Sequence, residues 1–133
     1  LDPNHPASLL GMMKIYLMTG QYDLAQSIYH SFPASQEFNA AEELVPLIKA
    51  MDDFSHQRLP EETDLDLAFN NAIHLAMRGN IYASIDGLLD ILRQDKKYRR
   101  GRARSVLLAL LDLLDPQDEQ TRRYRAELAS ILF

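Results

Sequence analysis

Leu67–Leu92 reads LAFNNAIHLAMRGNIYASIDGLLDIL, two apolar-periodic segments on either side of a Gly79-Asn80 turn. Before the turn, Leu65, Leu67, Ala68, Ala72, Leu75 and Ala76 supply the apolar positions of one helix. Thr63 or Asp64 stands where its N-cap belongs, and Arg78 meets the negative end of the helix dipole. After the turn, Ile81, Ile85, Leu88, Leu89 and Leu92 form a partner stripe. The spacing predicts an antiparallel helix hairpin, the unit from which stacked helical scaffolds are built.

The same grammar occurs earlier. Ala7–Thr19 places Leu9, Leu10, Met12, Met13, Tyr16 and Leu17 on a broad stripe, with Pro6 suited to its first turn. Gly20 ends that helix, and Tyr22–Phe32 carries Leu24, Ala25, Ile28, Tyr29 and Phe32 before Pro33 stops it. Aligning Gly20 with Gly79 sets Tyr16 over Leu75, Tyr22 over Ile81, Ala25 over Ser84 and Tyr29 over Leu88. The small residues, Ala25 and Ser84, are expected where two helices cross closely. The glycines are 59 positions apart, short of two periods of a ~34-residue helical repeat, so the unit between them is expected to be shortened or irregular.

In that middle stretch, Glu37–Leu44 and Pro46–Phe54 are helical by pattern, and Pro46 must break, kink or start a helix. Leu59-Pro-Glu-Glu-Thr63 reads as an acidic linker. After Gly101, Ala103–Leu114 is a strongly apolar helix, and Asp115-Pro116 reads as the N-cap and first residue of a last helix. That helix carries Tyr124, Leu128, Ile131 and Leu132 on one side. The expectation is one all-α domain over residues 1–133, about seven helices and no strands.

Composition narrows the functions. An apolar fraction of 47% and a charged fraction of 25% are those of a globular chain able to bury a core. Without cysteine, thiol catalysis, disulfides and thiolate zinc sites are excluded within the sequence. No apolar run approaches the ~18 residues of a membrane span; the longest, Val106–Leu111, reads as a buried helix face. The chain begins Leu1-Asp2-Pro3, as a domain cut from a longer protein would. Residues 1–66 hold 3 Lys/Arg against 11 Asp/Glu, and residues 67–133 hold 11 against 8. The positive charge gathers from Arg93 to Arg104 and reads as a solvated loop with helix ends, in preference to a nucleic-acid footprint, because only Tyr98 could stack on a base.

No active site emerges. His5, His30, His56 and His74 share no helix face with a second ligand at metal spacing, and His74 reads as a partly exposed helix-surface residue. Asp52-Asp53, Glu61-Glu62 and Asp64/Asp66 read as helix ends and a solvated linker, the linker's carboxylates complementing the dipole of the next helix, since no Gly-centred calcium loop surrounds them. No Gly-rich loop precedes a helix to cradle phosphate, and no metal or other cofactor is expected.

With these elements in place, Leu67–Leu92 resembles a tetratricopeptide hairpin. The following RQDKKYRRGRARSVLLALLDLLDPQDEQTRRYRAELASILF is similar to the C-terminal end of YbbN-type thioredoxin-like proteins, also called CnoX, a bacterial co-chaperone family. The matching features are Gly101 before an Arg-bearing apolar helix, the break at Leu114-Asp115-Pro116, and the ending Tyr124-Arg125-x-x-Leu128-x-x-x-Leu132-Phe133. The first hairpin, YLMTGQYDLAQSIY, fits the family's earlier repeats in a form common to tetratricopeptides. The resemblance implies a right-handed superhelix of antiparallel hairpins, with a thioredoxin-like domain ahead of Leu1 that would hold any redox cysteine. It implies a cytoplasmic, non-enzymatic module in redox-linked quality control that hands unfolded clients to GroEL and DnaK. The family's last helix contacts GroEL, which points here to Tyr124, Arg125, Leu128, Leu132 and Phe133.

Three other readings stand beside that one. Leu128 and Ile131 could pack inward on the Ala103–Leu114 helix and cap the stack. A generic peptide-binding adaptor would use the concave groove, with Asn70, Asn71 and Lys14 as polar contacts. Nucleic-acid binding through Arg93–Arg104 would show steep salt dependence.

Overall fold

Gly20 and Gly79 adopt the same left-handed conformation, with φ of 76° and 82°, in a computed structural model that describes residues 5–133. The turns close alike: the N–H of Gln21 donates to the Tyr16 carbonyl at 2.8 Å, and that of Asn80 to the Leu75 carbonyl at 2.9 Å. Carbonyls left over at a helix end thereby find donors, and glycine makes this possible without a Cβ penalty.

Eight helices and no strand are present among the described residues: α1 Pro6–Met18, α2 Tyr22–His30, α3 Phe38–Glu42, α4 Val45–Ser55, α5 Asp64–Met77, α6 Ile81–Gln94, α7 Tyr98–Asp112 and α8 Glu119–Leu132. Residues 1–4 of the expected 1–133 domain lie outside the described part. The all-α expectation holds, with the hairpins α1–α2 and α5–α6 where the periodicity put them. Ala25 and Ser84 are both fully buried, as close helix crossings require. The Ser84 hydroxyl donates to the Ala72 carbonyl at 2.7 Å, so a polar side chain at the α5–α6 contact leaves no hydroxyl unpaired.

The two hairpins meet turn against turn. A Cβ added to Gly20 would lie 2.3 Å from the Met77 carbonyl oxygen, and one added to Gly79 would lie 3.4 Å from the Met18 carbonyl oxygen. Met18 and Met77 occupy equivalent positions, two residues before each glycine, so the contact is reciprocal.

The middle stretch is central. Pro46 starts a helix, standing in the first turn of α4, where its missing N–H costs nothing. Leu44, Leu47, Ala50 and Met51 are fully buried, because α4 packs against α2, α5 and α7. Shortening falls on the preceding helix α3, which has 5 residues and packs against α1. At the other end, the expected Asp115-Pro116 start of the last helix is corrected. The Asp115 carboxylate accepts from the Gln117 N–H at 2.9 Å within a turn, and the N-cap of α8 is Asp118, accepting from the Gln120 N–H at 3.2 Å.

The unequal clearance at the two turns gives a stability test. Gly79→Ala should cost about 1 kcal/mol, the left-handed penalty alone. Gly20→Ala should cost roughly 3 kcal/mol or more, because a carbonyl must also move. Urea denaturation of both variants measures the difference; equal losses would contradict the reciprocal turn contact.

Candidate protein-interaction surface

The first feature that places this surface is a capping box. The Thr63 hydroxyl accepts from the Asp66 N–H at 3.0 Å, while the Asp66 carboxylate accepts from the N–H groups of Thr63 at 3.2 Å and Glu62 at 3.1 Å. The same carboxylate also accepts from the Tyr98 hydroxyl at 2.6 Å and from Arg99 through Nε at 3.1 Å and Nη2 at 2.6 Å. Asp66 is fully buried. It is the helix-start carboxylate that its place in the sequence suggested, withdrawn from solvent. The Arg99 hydrogen bonds hold its carboxyl far below the usual range against the opposing effect of burial, with help from Tyr98 and the Glu62 N–H. Burial, then the hydrogen bond to Asp66, pushes the Tyr98 phenol well above its ordinary value.

Asp53, near the end of α4, repeats the arrangement. It is buried and accepts from Arg102 at 2.6 Å and from Arg58 at 3.2 Å. Burial raises its pKa, but those two hydrogen bonds and the nearby Lys49 outweigh it and leave the carboxyl lowered. The acidic first half and basic second half thus meet inside one chain. Arg99 and Arg102, expected in a solvated run, are structural partners of buried carboxylates. Arg93 pairs with Asp90 at 2.5 Å and with Glu127 at 2.8 Å, tying α6 to α8.

Arg99, Arg100 and Gly101 all have positive φ, 44°, 58° and 86°. The right-handed course of α7 follows Gly101, as the sequence suggested. Val106, Leu107, Ala109, Leu110 and Leu111 are then fully buried.

On α8, Tyr124 and Leu128 are buried in the core. The Tyr124 ring lies 5.8 Å from that of Tyr82, and burial, then Asp86, raises its phenol pKa. Ile131 and Leu132 are half-buried against the core. Arg125 reaches Asp112 on α7 at 3.1 Å. Phe133 is 96% exposed.

A groove of about 210 Å³ opens between α7 and α8, lined by Leu108, Leu128, Ala129, Leu132 and Phe133 and flanked by Arg104 and Arg125. Of the five residues named from the sequence, Arg125, Leu128, Leu132 and Phe133 share this groove, and Tyr124 does not line it. Arg104 and Leu108 were missed; their spacing of one helical turn on α7 was the available signal.

For the groove-adaptor reading, Asn70 is committed internally, its amide donating to the Pro60 carbonyl at 3.0 Å and the Asp66 carbonyl at 3.1 Å. Asn71 is exposed on α5 and Lys14 is half-buried on α1. His74 is exposed and stacks on Phe54, ring centroids 5.2 Å apart. Among the described residues, no group of three His, Asp or Glu could hold a metal.

Residues 51–133, running from within α4 through α8, match the tetratricopeptide repeat family. The chain belongs to that family. As a tetratricopeptide domain it is a protein–protein interaction module. No curated protein and no solved structure matches it. No tetratricopeptide helix among the described residues is long and apolar enough to cross a membrane.

The Asp66 network makes a pH prediction. Its folded pKa lies below the unfolded value of about 3.9, so its contribution is complete above that value and is lost as pH falls further. Asp66→Ala should cost about 3 kcal/mol at pH 7, with the Tyr98 hydroxyl left buried and unpaired. Urea melts of the wild type should weaken steeply below about pH 4, and those of the variant less so. Parallel acid profiles would contradict the assignment.

Proposed function

We propose that this tetratricopeptide domain is the protein-binding module of a thioredoxin-like co-chaperone of the YbbN (CnoX) type. Its α7–α8 end docks on chaperone machinery, GroEL or DnaK, and receives unfolded clients in redox-linked quality control in the bacterial cytoplasm. The module acts by binding and carries no catalysis; the redox chemistry belongs to a thioredoxin-like domain ahead of Leu1.

The observation that carries this reading is Phe133. An aromatic side chain left 96% exposed beside an apolar groove has its hydrophobic stabilisation still to gain, and aromatic anchors are what binding hot spots use. Buried Tyr124 and Leu128 fix α8 to the stack, so the tail is presented from a rigid base with little ordering cost on binding. Arg104 and Arg125 at the groove edge favour a partner that brings carboxylates to the rim. The residues of the Gly101 start and the Tyr124–Phe133 ending support the co-chaperone assignment by resemblance.

The adaptor reading draws on the same family membership and puts the contact on the concave face, at Asn71 and Lys14. One experiment separates the two. Leu132→Ala/Phe133→Ala, with an unchanged circular dichroism melt, should lose about tenfold or more in GroEL affinity by surface plasmon resonance. Unchanged affinity in that variant would end the α8 proposal. Loss of a protein partner on Asn71→Ala with the tail variant binding normally would favour the adaptor.

A further inference from the structure

A second concavity lies away from the α8 groove, between α4 and the start of α7. It is an open depression of about 440 Å³, with Val45 and Pro46 contributing apolar surface and Lys49, Arg99, Arg100 and Arg102 supplying four cations. The two arginines nearest the core are held from behind. Asp66 takes Nε and Nη2 of Arg99, and Asp53 takes one Nη2 bond from Arg102. A guanidinium carries five N–H donors in a fixed fork, so each arginine keeps donors in a direction its buried carboxylate has already set. Arg100 has no ion pair among the described residues, and Lys49 approaches Asp53 only at 3.9 Å with 71% of its side chain exposed. Glu62 lies 3.9 Å from Arg99. The positive end of the α7 dipole stands at the same edge.

We propose that this pocket binds an acidic segment of a partner protein, a carboxylate on the arginine rim and a neighbouring apolar side chain on Val45 and Pro46. Charge complementarity selects the carboxylate, and the apolar surface selects a peptide over a bare oxyanion. A nucleic acid is disfavoured because an extended polyanion would also run across the first half of the chain, which holds 11 Asp/Glu against 3 Lys/Arg. Holding the guanidinium groups in place before binding removes part of their ordering cost and favours bidentate contact. The pocket is independent of the α8 tail.

Nitrogen–proton correlation spectra of the labelled chain, titrated with an acetylated Glu-Leu-Glu-Leu-Glu peptide, test this directly. Shifts should concentrate at Lys49 and from Arg99 to Ser105, and should weaken as salt is raised. Arg100→Glu should reduce affinity by at least about tenfold with an unchanged thermal melt, whereas Phe133→Ala should bind the peptide normally. The proposal is overturned by shifts absent from this pocket, by equal binding of the Gln-Leu counterpart, or by full affinity in Arg100→Glu. Complete displacement by inorganic phosphate at matched concentration would also overturn it, by showing a general oxyanion site.

Discussion

A single carboxylate, that of Asp66, connects the parts of this molecule that sequence keeps far apart. It closes the first turn of α5 through the Thr63 capping box, and it receives Tyr98 and Arg99 from the entrance to α7. That entrance contains two consecutive non-glycine residues in the left-handed region, each costing on the order of 1–3 kcal/mol unless its surroundings impose it. Asp66 holds the first of them, Arg99, together with Tyr98 before it. A buried charge network of this kind adds less net stability than its hydrogen bonds suggest, because desolvation opposes it. Its physical effect here is specificity of direction: it sets where α7 begins, and α7 carries both concave surfaces.

The hairpins were legible because helical periodicity and left-handed turn glycines are local signals. Leu75, Gly79, Asn80 and Ile81 lie within seven residues of one another, and Gly20 repeats the pattern. The apolar α7 and the shortened middle unit were legible for the same reason. The roles of Asp53 and Asp66 were not. Both sit at positions where a solvated carboxylate is the ordinary outcome, and the arginines that hold them buried lie 49 and 33 residues away. Asp118 was missed as the α8 cap because Asp115-Pro116 presents the same local chemistry three residues earlier; the chain uses that pair for a turn. At the candidate surface, the apolar stripe of α8 was readable. Its division into buried Tyr124 and Leu128 and exposed Phe133 depends on where α7 lies, which only the tertiary contacts reveal.

The two surfaces carried by α7 have different physics. The groove shared with α8 is apolar with an arginine edge and ends on an uncovered aromatic, so association there would draw on the hydrophobic effect. The pocket shared with α4 is cationic and held in place by buried acids, so association there would draw on charge and respond to salt. A scaffold built from stacked helices can present both because its core is apolar and its buried acids are already paired within the chain. The outward faces are left to contact other molecules.

We propose the outer end of the α7–α8 pair as the place where a chaperone partner lands. Hydrogen–deuterium exchange of the whole chain with and without GroEL tests it most directly. The account predicts slowed exchange at the end of α8, through Leu128–Phe133, and along the facing turn of α7 at Arg104–Leu108, with α1 and α2 unchanged. Protection confined to α1, or to α5 around Asn71, would contradict it.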